Sequence, residues 1–93
     1  MATFNHLTIG PGAAESLAVL YRNAKPVYEC IRAELRRMLT EDFHARELLP
    51  DILEPRFHGF DCCQMTLLVS VKGDQLHVTG VVPARNQLRG ILP

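Results

Sequence analysis

A chain of 93 residues and 10.4 kDa has room for one domain and no second core; surface scaling gives about 5,400 Å² exposed when folded against about 15,000 Å² extended. With 47% of residues hydrophobic and 22% charged, the composition excludes a disordered chain, which would carry fewer aliphatics and more net charge. Ten Lys+Arg balance ten Asp+Glu, which excludes a domain-wide footprint for polyanions and leaves self-association open.

Met1-Ala2-Thr3-Phe4 lacks a basic region and a following apolar run, so neither a secretory signal nor a bilayer span is expected. Cys30, Cys62 and Cys63 are odd in number, and two are adjacent, which disfavours a secreted disulfide framework. Reduced thiols and a cytoplasmic location are the corresponding expectations.

Thr3 to Ile9 mixes β-branched and aromatic residues with period-2 polarity and reads as a short strand, stopped by Gly10-Pro11-Gly12. The period then changes. Leu17, Tyr21, Ala24, Tyr28, Ile31, Leu35 and Met38 recur at spacings of four and three, the seam of one amphipathic helix. Pro26 interrupts the donors of that helix, but the seam keeps its phase across it. The spacing therefore predicts one helix from about Ala13 to Leu39, kinked at Pro26, rather than two.

Thr40-Glu41-Asp42 offers a fresh cap with acidic residues in a first turn, predicting a short second helix from about Glu41 to Leu49 before Pro50 and Pro55. Leu48, Leu49, Ile52 and Leu53 give this linker an apolar side expected to pack. From Cys62 the period is two: Met65, Leu67, Val69 and Val71 alternate with polar residues, and Lys72-Gly73-Asp74 turns the chain into Gln75 to Val82, a β-hairpin. The expected fold is a single α+β domain over residues 1–83, helix packed on a small antiparallel sheet, with 84–93 as a C-terminal docking tail. Three strands from one chain leave exposed edges, which a homodimer would relieve.

Few residues frame a chemistry. His58, Asp61, Cys62 and Cys63 form the densest polar cluster and suggest a thiol- or metal-dependent enzyme, but the spacing fits no paired metal knuckle, and adjacent residues on a strand face opposite ways. No metal ligand set and no cofactor is predicted, and Cys62 or Cys63 reads more simply as a small buried hydrophobe. His77 has opposite parity to Leu76 and Val78 and is expected on the solvated side of its strand. Residues 22–37 carry Arg22, Lys25, Arg32, Arg36 and Arg37 against Glu29 and Glu34, while residues 41–61 are net acidic. Lys25, Arg32, Arg36 and Arg37 would make a basic face for the phosphates of a nucleic acid, the alternative of a nucleic-acid-binding regulator. Aromatic residues to stack bases are few, however, and the whole domain is not basic, so nucleic acid is not the expected partner. The reading that best fits this poverty of motifs is a non-enzymatic interaction or small-ligand binding module, homodimeric, with a cleft lined by Tyr21, Tyr28, Phe57 and Phe60 for a small apolar ligand.

Overall fold

The structure, a computed structural model, describes residues 4–51 and 53–84; the expected docking tail, apart from Ala84, lies outside them. Two helices pack on a five-stranded mixed sheet of order β1-β5-β4-β3-β2, so the α+β class stands. The sheet is larger than the sequence suggests. Strand β1 (His6–Ile9) pairs parallel with β5 (Gln75–Pro83), and β2 (Leu49–Pro50), β3 (His58–Cys62) and β4 (Met65–Lys72) complete it in antiparallel register. The purely antiparallel expectation fails at β1, which runs parallel to β5 and is joined to it by the long connection, helices included, that a parallel pair requires.

Strand β1 hands directly to helix α1 (Pro11–Asn23). The Gly10 N–H still donates to Val78 O across the sheet at 2.8 Å, while Gly10 O accepts the first helical bond from Ala14 at 2.9 Å. Pro11 fills the first helical position, where a missing donor costs nothing. A side chain at position 10 would lie 3.1 Å from His77 Nε2 and 3.3 Å from Val78 O, so the close approach of helix start and sheet selects glycine.

The single kinked helix is instead two. Ala24, at φ −148° and ψ 60°, closes α1 and opens α2 (Lys25–Arg37): its N–H donates to Leu20 O at 2.7 Å, and its own carbonyl accepts from Val27 and Tyr28. Pro26 sits at the second position of α2, inside the turn that has no donors to lose. Because one residue makes the whole break, the four-three spacing runs on through it, which is why phase alone cannot distinguish kink from break. The seam does change its exposure. Leu17, Ile31, Leu35 and Met38 are buried, whereas Tyr21 is half exposed.

The expected second helix shrinks to a single 3-10 turn, Ala45–Glu47. Thr40 spends its hydroxyl on Arg37 O at the end of α2, 2.7 Å away, instead of capping a new helix, and Phe43 is drawn into the core between Phe4 and Phe60. Of the linker's apolar residues Leu48 is buried, whereas Leu49 and Leu53 are exposed; Ile52 lies outside the described residues.

The β4–β5 hairpin turns at Gly73, φ +60°, as expected. A second hairpin, β3–β4, turns through Cys63 and Gln64, at φ 55° and 65°, the pair of positive φ values that a type I′ turn needs. Thr79 is an extra residue in β5 between the Leu68–Gly80 and Val69–Val78 pairs. This bulge resets parity, so Val81 joins Leu76 and Val78 on the face that packs with Leu67, Val69 and Phe60 against the helices.

Candidate functional site

A concavity lies where the two helices meet. Ala14, Ala18, Tyr21 and Arg22 from α1 and Tyr28 from α2 line an open groove of about 590 Å³. Its α1 residues follow the spacing i, i+4, i+7, i+8, a stripe beside the buried one of Ala13, Leu17 and the partly buried Leu20. The break at Ala24 brings Tyr21 and Tyr28 edge to face, with ring centroids 5.2 Å apart at 78°, a favoured aromatic geometry. The Lys25 ammonium rests 5.0 Å from the Tyr21 ring centre.

Of the four aromatics expected to line a cleft, Tyr21 and Tyr28 meet on the two helices, while the other two stand elsewhere. Phe60 is buried in the core beside Phe43, and Phe57 lies on the linker with Arg56 at 5.1 Å over its ring. Hence the groove is walled by two helices of one chain, with no sheet residue in it.

The basic face also divides. Lys25, Arg32 and Arg36 are exposed, but Arg37 turns to the sheet side. Its guanidinium donates to Glu34 at 3.1 Å and to Glu47 at 2.9 and 3.4 Å, and it stacks over Phe43 and Phe60 at 5.1 and 5.7 Å. These bonds hold the Glu47 carboxyl below its ordinary value, with help from the His44 N–H, which donates to Glu47 at 3.0 Å.

The expectation of reduced thiols is overturned for two of the three cysteines. Cys30 of α2 and Cys63 of the β3–β4 turn form a disulfide, Cα atoms 6.0 Å apart. The odd count concealed it because the unpaired member is Cys62, the sequence neighbour of a bridged one. A shallower hollow of about 250 Å³, lined by Pro26, Val27, Cys30, Cys63 and Gln64, opens beside the bond. Burial pushes the Cys62 thiol up to about 12, reinforced by Glu34 and Asp61, so it stays protonated and a poor nucleophile at neutral pH.

The His58-Asp61-Cys62-Cys63 cluster does not assemble. Strand alternation separates Asp61 from His58 and Cys62, and Asp61 Oδ1 accepts from Thr66 Oγ1 across the sheet at 2.6 Å. Among the described residues no group of three or more His, Cys, Asp or Glu is placed to hold a metal ion. His77 lies on the face away from Leu76 and Val78, as its parity implies, and shares a 2.6 Å hydrogen bond with Thr8 of β1. Among the described residues no helix is long and apolar enough to cross a membrane. Compared with models of protein families, with curated proteins and with solved structures, the chain finds no match.

Proposed function

We propose that this protein is a non-enzymatic binding module whose ligand seats in the α1–α2 groove. The observation that carries the reading is the groove itself: two tyrosines in a preformed corner, set in a concavity whose volume falls within the range of small-molecule sites. The chemistry elsewhere lends catalysis no comparable support, since Cys63 is bridged and the Cys62 thiol is held protonated. A panel of small aromatic and aliphatic fragments, screened by amide chemical shifts on the full chain, tests it. Aromatic fragments that move Ala14, Ala18, Tyr21, Arg22 and Tyr28 together are expected, whereas an inert groove would contradict the reading.

A second copy of the chain is the macromolecular partner that this surface favours. Strand β1 ends the sheet order and carries exposed Ile9, so its outer edge offers unpaired backbone groups to an identical strand, and the chain has zero net charge. The thin-sheet argument for a dimer is weaker than the sequence implied, because one chain supplies five strands. The cytoplasmic location expected from reduced thiols likewise loses that support, since disulfides persist mainly in oxidising surroundings.

A further inference from the structure

The charge around the groove narrows the ligand further, given the binding reading above. Arg22 is the one charged residue in the lining, and no carboxylate lines it. Among the described residues the Arg22 side chain makes no ion pair, hydrogen bond or ring contact. The acidic groups that neutralise Arg37 are committed at the other end of α2. Lys25 adds a second cation at Tyr21.

Paired tyrosines also suit cationic guests, whose charge sits over the ring faces. Here that option is opposed twice: Lys25 already lies over the Tyr21 ring, and Arg22 would repel a cation in the same groove. A guanidinium offers a planar fork of donors that matches a carboxylate in two parallel bonds. The aromatic corner offers ring faces and edges to a flat apolar body. We infer that the groove takes a planar aromatic carboxylate, its ring against Tyr21 and Tyr28 and its acid on Arg22.

The experiment titrates the full chain with 2-naphthoate, the neutral 2-naphthalenemethanol and the cationic 2-naphthylmethylammonium, followed by amide shifts of the groove residues. The carboxylate is expected to bind about tenfold more tightly than the alcohol, with the ammonium weakest and the preference shrinking at high salt. Replacing the exposed Arg22 by Gln should abolish the preference of carboxylate over alcohol; Arg22→Lys should keep part of it. Equal binding of carboxylate and alcohol, or tightest binding of the ammonium, would overturn the carboxylate assignment while leaving a ligand groove in place. No binding by any of the three would remove both.

Discussion

Arg37 shows how much a single side chain can be asked to join. Four groups from three parts of the chain, Glu34, Glu47, Phe43 and Phe60, converge on its guanidinium, and roughly a third of the side chain remains exposed. Water therefore screens the ion pairs, and their worth is nearer that of surface pairs than of buried ones. Arg37→Gln should lower the unfolding free energy by about 1 kcal/mol in urea titrations at pH 7. The pH dependence has a definite sign. Glu47 binds its proton less readily in the folded chain than in the unfolded one, so its stabilisation is present above its ordinary value of 4.5 and is lost as pH falls through the lowered folded value. As pH falls below 4.5 the stability gap between wild type and Arg37→Gln should narrow, leaving the part carried by Phe43 and Phe60; a gap that did not narrow would contradict this. A run of basic residues read as one face hid the role of Arg37, because helix position alone does not reveal that its last turn curls over the sheet.

At the level of elements, the joints were harder to read than the elements. The helical seam and the β4–β5 hairpin were legible from period and from Gly73. The β3–β4 turn was not, since Cys63 and Gln64 occupy backbone conformations that sequence patterns reserve for Asn and Gly. The disulfide explains how the turn is secured: it fastens Cys63 to α2 across 33 residues of chain, a loop length for which chain entropy gives about 3–4 kcal/mol. Cys30→Ala combined with Cys63→Ala should cost about that much in unfolding free energy. Thiol titration checks the pairing separately. Without reductant, the protein should show one reactive thiol in denaturant and almost none when native at pH 8, since Cys62 is half-buried with its thiol near 12; three thiols in unreduced denatured protein would contradict the bond. Strand β1's parallel partner was also out of reach, because it lies 69 residues away and no local signal announces it.

Across the whole molecule, the zero net charge resolves into separate surfaces. Part of the basic helix is neutralised by Glu34 and Glu47, and what remains, Arg22, Lys25, Arg32 and Arg36, lies on exposed helix surface, with Arg22 in the groove. Tyr21 and Tyr28 were visible in the sequence as candidates. Their separation from Phe57 and Phe60 was not, for it depends on tertiary packing that places Phe60 in the core beside Phe43 and Phe57 under Arg56, while Tyr21 and Tyr28 meet on the two helices. If a second copy pairs along β1, sedimentation velocity at micromolar concentration should show a dimer, and a clean 10.4 kDa species would exclude it. The groove lies within a single chain and does not depend on that result. Whether the tyrosine corner binds a ligand is decided by the fragment panel repeated on Tyr28→Ala, with a thermal melt to establish that the variant is folded. The folded variant should lose the aromatic fragments that move Ala14, Ala18 and Arg22 in wild type; fragments bound equally well without Tyr28 would mean that the tyrosine corner is not the binding site.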